Sequence, residues 1–151
     1  MSDDLTALET WLSPLLAKLE PQERTRLARE AAREIRKNQT KRITAQKNPD
    51  GSAYEKRKPR DLRGKQGRIK KKMFMKLKMA RYLKAQGSEQ AVTVGFTGRV
   101  ARIARVHQYG LKDRAEKGVP DVRYACRRLL GISKEDLVLL HNLIIDDYFQ
   151  G

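Results

Sequence analysis

The chain has little of what catalytic and secreted proteins depend on. Its 151 residues contain one cysteine, Cys126, and two histidines, His107 and His141. A lone cysteine excludes an internal disulfide, and no Cys/His cluster has metal-ligand spacing. The thiol is expected to be buried and inert, in a reducing compartment. Both histidines fall on apolar stripes of separate predicted helices, as satisfied, partly buried side chains rather than bases of a nucleophilic site. Glycine-rich phosphate loops are missing: GSAYEKRK and GRVARIAR have neither the glycine spacing nor the strand–loop–helix setting of one. No apolar run approaches the ~20 residues that cross a bilayer. The acidic start, MSDDLTALETWL, lacks the layout of a signal peptide, so the protein is expected to be made and kept in the cytoplasm. Internal repeats are absent, and no catalytic residue, metal or cofactor is expected; the chain does not read as an enzyme.

What the chain has in abundance is positive charge, and that charge is concentrated. The formal net charge is +16, and residues 24–86 carry 23 Lys/Arg against five Asp/Glu, or +18. Residues 1–23 carry one against five, and residues 87–151 ten against eight. Such a block repels itself and needs an anionic partner: nucleic acid, an acidic protein surface or, less favoured, a membrane face. There is no helix-turn-helix turn and no set of stacked aromatics for RNA. Charge alone would therefore give salt-sensitive binding without base readout.

The length fits one domain, and the stretch AVTVGFTGRVARIARVHQYG, residues 91–110, organises it. Val92, Val94 and Phe96 alternate as in a half-buried strand, predicted over 90–96. Val100, Ile103, Ala104 and His107 then fall on one stripe of a helix that stops at Gly110. A first helix is predicted over 3–18, with Leu5, Leu8, Leu12, Leu15 and Leu16 on one face and Trp11 at its edge. Pro21 suits the first turn of a second, over about 21–46, whose narrow apolar face is Leu27, Ala28, Ala31, Ala32, Ile35 and Ile43. Its other face carries Arg24, Arg26, Arg29, Arg33, Arg36, Lys37, Lys41 and Arg42, which read first as solvated charge.

From 47 to 68 periodicity disappears, and this long basic loop is expected to be mobile. Residues 69–86 read as a short helix to about Lys76 and a strand around 79–86, which pairs with 90–96 as a hairpin. Val122, Tyr124 and Cys126 suggest a further short strand over 121–126. Ser133-Lys134-Glu135-Asp136 resembles a capping box with Ile132 and Leu137 at staple positions, opening a last helix along Leu137, Leu140, His141, Ile144 and Tyr148. Asp146-Asp147 near its C-terminus are disfavoured by the dipole and hint at a basic partner. The fold class expected is α+β: N-terminal helices, a small antiparallel sheet packed with a central helix, and a C-terminal helix, as a single domain over 1–151.

Three stretches, NPDGSAYEKRK, IARVHQYG and VPDVRYACRRLLGISKEDLVLLHNLIIDDYF, together resemble the phage virion morphogenesis, or tail completion, proteins of Mu-like and related contractile-tailed phages. The similarity spans nearly the whole chain and keeps the order of the pieces. It attaches to Pro49, Asp50 and Gly51, to His107, Tyr109 and Gly110, and to Pro120, Arg123, Leu130, Gly131 and Ser133. Where the family often shows Ile-Pro-Ala-Arg-Pro-Phe-Leu-Gly, this chain departs from the pattern over Val119 to Gly131.

The resemblance implies a non-enzymatic protein that finishes the head-facing end of the tail so that filled heads can join. It implies a homo-oligomeric ring, neighbours among tail tube or terminator and head-connector proteins, and residence in the host cytoplasm and then the virion neck. The assembly or partner-binding candidates are Pro49, Asp50, Gly51, Tyr54, Arg57, Lys58, Arg60, Arg63, Lys65, Arg68, His107, Tyr109, Gly110, Pro120 and Arg123. Non-specific contact with DNA is a further possibility for the loop. The alternative reading is a non-specific nucleic-acid-binding protein using 24–86.

Overall fold

The structure, a computed structural model, describes residues 14, 17–56, 72–114, 117–118 and 120–150, apart from the side chains of 147–150. The helix predicted over 3–18 therefore lies almost entirely outside the described residues. Helix α1 (Pro21–Thr44) begins with Pro21 at its first turn and Glu23 near its positive end, as its sequence requires. It buries Leu27, Ala31, Ala32, Ile35, Gln39 and Ile43. All but Gln39 belong to the predicted apolar face. The alanines allow close approach: Gly87, at the end of strand β1 (Leu83–Gly87), sits so near α1 that a Cβ there would overlap the backbone of Ala28 and Arg29.

The end of α1 is built by an unusual residue. Gln46 adopts a left-handed conformation, φ 59°, and its N–H bonds Ile43 O while Lys47 N–H bonds Arg42 O. This is a Schellman-type stop, where glycine is commonest. Gln46 is there because its side chain is used: Nε2 donates to Met73 O and to Ile43 O, both at 2.8 Å, and Oε1 accepts from Met73 N at 2.7 Å. The amide thus pairs with a distant backbone as a strand neighbour would.

After Met73, Phe74 takes φ 67°. That left-handed residue is costly without glycine, and it replaces the predicted helix through Lys76 with a series of turns. Strand β1 accordingly starts at Leu83 instead of about 79. It pairs antiparallel with β2 (Val92–Phe96), in register from Leu83 opposite Phe96 to Gly87 opposite Val92. Met73, Phe74 and Leu77 turn into a core completed by Ile43, Tyr54, Ala104 and Leu129, with Phe96 and Val100 packed against it.

Helix α2 (Val100–Tyr109) ends on Gly110 at φ 64°, where the sequence placed its stop. Its stripe is only partly as expected. Ala104 is buried and His107 half-buried, but Ile103 is 47% exposed, and Val106 is buried in its place. The chain turns back after Gly110, with Leu111 N–H bonding Val106 O at 2.9 Å. Strands β3 (Lys112–Asp113) and β4 (Val122–Arg123) form a second, separate antiparallel hairpin. Helix α3 (Lys134–Gln150) closes the chain and packs on α1. The result is α+β, with two small two-stranded sheets where one had been expected.

The Gly87 contact gives a direct test. Gly87→Ala should destabilise the protein by about 1–3 kcal/mol, because backbone on both sides must shift, whereas Gly95→Ala, with nothing within 4 Å of its Cβ position, should cost less. Urea denaturation of the two variants compares them.

Candidate assembly surface

Between β4 and α3 the chain runs through Tyr124 to Ser133 without helix or strand. Its backbone groups cannot satisfy one another in a ladder, so other parts of the molecule must. Gln108 accepts from both Leu129 N and Leu130 N at 2.9 Å and donates to Leu130 O at 2.8 Å. Arg42 donates to Arg128 O at 3.0 Å, Leu129 O at 2.8 Å and Lys47 O at 3.0 Å, and also to Gln39 Oε1 and the Tyr54 hydroxyl. That Gln39 oxygen also accepts from Gly131 N at 3.2 Å. Arg127 runs the opposite way: it is 5% exposed, its Nε donates to Glu55 O at 2.7 Å, and its N–H bonds His107 O at 2.7 Å.

The segment ends in the capping box the sequence announced. Asp136 N–H donates to Ser133 Oγ at 3.1 Å, and Ser133 N–H donates to Asp136 Oδ2 at 3.0 Å. Asp stands where Glu is commoner because its carboxylate has a second task. Fully buried, it accepts from Asn38 Nδ2 at 2.9 Å and Gln39 Nε2 at 3.1 Å. One short side chain thus caps α3 and fastens it to α1.

Several candidate residues belong to this scaffold. Asn48 to Ser52 make a tight turn: Gly51 N–H bonds Asn48 O at 2.9 Å, Gly51 has φ 90°, and Asp50 Oδ1 accepts from Ser52 N at 2.8 Å. The Ser52 hydroxyl and amide hold the exposed Asp50 carboxyl below the usual carboxylate range. Buried Pro49 fills the space that a side chain at Gly131 would need, and Asn48 Oδ1 accepts from Arg128 N at 2.8 Å. Pro49 and Gly131, distant in sequence, are therefore one contact. Tyr54, 5% exposed, donates its hydroxyl to Arg128 O at 3.0 Å. It starts an edge-to-face ladder: Tyr54 to Phe74 at 5.6 Å, Phe74 to His107 at 4.8 Å, His107 to Tyr124 at 5.0 Å. Gly110 is left-handed against the Tyr124 and Cys126 backbone, at 3.2 Å from a Cβ placed there.

The other candidates face outward. Tyr109 is 67% exposed at the end of α2, and Pro120 and Arg123 are exposed on the hairpin that follows. Ile103 of α2 and Val122 of β4 are also exposed, and Arg102 of α2 reaches Asp113 of β3 at 2.5 Å. The Arg114 backbone first, and then Arg102, hold the Asp113 carboxyl below its ordinary range. Arg57, Lys58, Arg60, Arg63, Lys65 and Arg68 lie outside the described residues. Cys126, expected to be buried, is exposed, with its thiol donating to Gln108 O at 3.2 Å. The strand suggested over 121–126 is shorter than expected, since β4 ends at Arg123, and Cys126 lies beyond it. Among the described residues no group of three or more His, Cys, Asp or Glu could hold a metal ion, and no helix is long and apolar enough to cross a membrane.

The sequence reading missed Asn38, Gln39, Gln46, Gln108 and the inward roles of Arg36, Arg42 and Arg127. Arg36 Nε donates to Leu83 O at 2.7 Å, far from solvated charge. A signal existed for Gln39 alone, an uncharged residue aligned with Ile35 and Ile43 on the buried stripe.

Two predictions follow from the polar clamp. Asp136→Ala should destabilise by about 3 kcal/mol, through the lost cap and the two amide donors left buried, measured by chemical denaturation. For Tyr54, burial first, opposed by Arg42, pushes the hydroxyl pKa up. Its raised folded pKa means a contribution fully present below about pH 10, the ordinary tyrosine value, and lost as pH rises through the folded value. Tyr54→Phe should therefore flatten the alkaline decline in stability while lowering stability at neutral pH by about 1 kcal/mol.

Comparison with known proteins bears on what such a scaffold serves. The family model described as the phage virion morphogenesis family matches residues 3–148. The chain is 38% identical over 144 residues, 95% of its length and 96% of the other's, to the tail completion protein S of Escherichia phage P2. No solved structure matches. The paired Pro49 and Gly131, the Gly110 stop and the Ser133 cap lie within the matched span, and the match runs through both N-terminal and C-terminal elements. This chain belongs to the phage virion morphogenesis family.

Proposed function

We propose that this protein is a non-enzymatic assembly factor that completes the head-proximal end of a phage tail and makes it competent to join a filled head, acting as a ring of identical subunits. The observation that carries this reading is the similarity to the P2 tail completion protein, which covers 95% of this chain and 96% of that protein. A structural role in tail assembly follows from the family; the head-facing position, the ring and the neighbours on either side are the proposal.

The shape of the chain supports the reading. A rigid body, pinned by side-chain bonds to an irregular segment, carries outward-facing apolar and basic groups on α2 and the β3–β4 hairpin. Ile103, Tyr109 and Val122 are exposed, and so is Arg123. Surfaces of this kind, apolar anchors with a charged rim, suit contact with another protein. The residues after Lys56 supply a basic arm in sequence, and an arm of that kind can be ordered by a neighbouring subunit or neck protein.

A phage that encodes this chain should, once its gene is deleted, accumulate filled heads and tails that stay apart, and the chain supplied from a plasmid should restore joined virions. Normal virions without the protein would overturn the reading. Exchange of Arg57, Lys58, Arg60, Arg63, Lys65 and Arg68 for glutamine should give a folded protein, by circular dichroism, that fails to restore joining. Full restoration by that variant would remove the arm from the assembly role.

A further inference from the structure

Helix α1 has two faces with different duties. Arg36 and Arg42 turn inward to backbone carbonyls, Arg24 is half-buried with its Nε enclosed, and the other five cations collect on the opposite side. Arg26, Arg29, Arg33, Lys37 and Lys41 are all exposed. Their spacing of three and then four residues keeps them on one stripe, about 22 Å long at the helical rise. Lys37 pairs with Glu34 at 3.1 Å in solvent, and half-buried Glu23, Glu30 and Glu34 border the stripe on one side. Arg29 and Arg33 make no hydrogen bond or ion pair among the described residues. Both line an open groove of about 620 Å³ between α1 and the β1–β2 hairpin, with Gln86, Ser88 and Thr93 on its far wall.

We propose that this face of α1 is a binding site for the phosphate backbone of double-stranded DNA. This goes beyond tail completion and does not rest on it. Three observations select the occupant. The stripe is cationic in a chain of net charge +16, so a polyanion relieves a repulsion that a neutral partner would leave in place. No exposed large apolar side chain among the described residues lies on α1, whereas a protein partner would engage buried apolar anchors. The stripe and groove also lack aromatic side chains, which excludes base stacking as the basis for binding and with it a preference for single strands. What remains is arginine and lysine presented to phosphates, with groove hydroxyl and amide groups beside them, an arrangement that holds duplex DNA without reading its bases.

The test is fluorescence anisotropy of the full-length protein with a labelled 20-base-pair duplex across a salt series. Log K should fall linearly with log salt, and Arg29→Ala/Arg33→Ala should make that slope shallower by about 2, at ~0.9 per phosphate contact. Arg29→Lys/Arg33→Lys should keep the steep slope, and Lys112→Ala/Arg123→Ala, which removes the same charge outside the stripe, should leave it unchanged. Circular dichroism checks that each variant is folded. An unchanged slope in the Arg29/Arg33 alanine variant would overturn the proposal, as would absence of duplex binding by the parent protein at low salt. Loss of self-association with DNA binding intact would overturn it in favour of a protein-facing surface.

Discussion

The buried carboxylate of Asp136 is the interaction on which the rest of this structure depends. It accepts from Ser133 to cap α3, and from Asn38 and Gln39 to fix α3 against α1. Gln39 passes the constraint on, because its carbonyl oxygen takes Gly131 and Arg42 together. Arg42 then holds Arg128 and Leu129, and burial lowers its pKa while Tyr54 and Asp136 oppose that shift. Burying a charge is costly unless it is hydrogen-bonded; the Asp136 carboxylate accepts from Asn38, Gln39 and Ser133, and the two terminal nitrogens of Arg42 donate to backbone and side-chain oxygens, while its buried Nε has no partner among the described residues.

This arrangement explains why so irregular a chain can be compact. The descriptive pattern is a long helix, two minimal hairpins and a final helix, which bury little area through sheet or helix contacts alone. Side chains from α1, α2 and the Asn48–Ser52 turn compensate by bonding directly to the backbone of 124–133. The aromatic ladder from Tyr54 to Tyr124 passes through the same region, so apolar packing and polar satisfaction reinforce one another. The price is sequence specificity at polar positions: Gln46, Gln108 and Arg127 are committed to particular carbonyls or amides.

Where apolar periodicity decides, the sequence was legible. The buried face of α1, the β1–β2 hairpin, the Gly110 stop and the Ser133–Asp136 cap all follow from spacing and residue chemistry. Periodicity failed where the backbone left its usual basins. Phe74 in the left-handed region breaks the expected helix before Lys76, and nothing in its side chain announces that conformation. Ile103 has the right spacing for burial, yet lies on a side of α2 left uncovered among the described residues. Arginines are the clearest case. Arg26 and Arg42 look alike in a basic helix, and only the fold sends one toward solvent and the other into carbonyl oxygens. Pro49, Gly51, His107 and Gly110 were singled out through the family resemblance and Tyr54 as a partner-binding candidate; the structure gives each a place in the scaffold.

The proposed ring requires a subunit of high positive charge to hold to its own copies despite their repulsion. Static light scattering of the purified protein at about 150 mM and again near 1 M salt tests this directly, since screening lengths there differ from about 8 Å to about 3 Å. A subunit that forms a ring through apolar and main-chain contacts gives the same discrete multiple of the 17.4 kDa chain mass at both salts. A monomer at both would contradict self-assembly of the protein as the basis of its function.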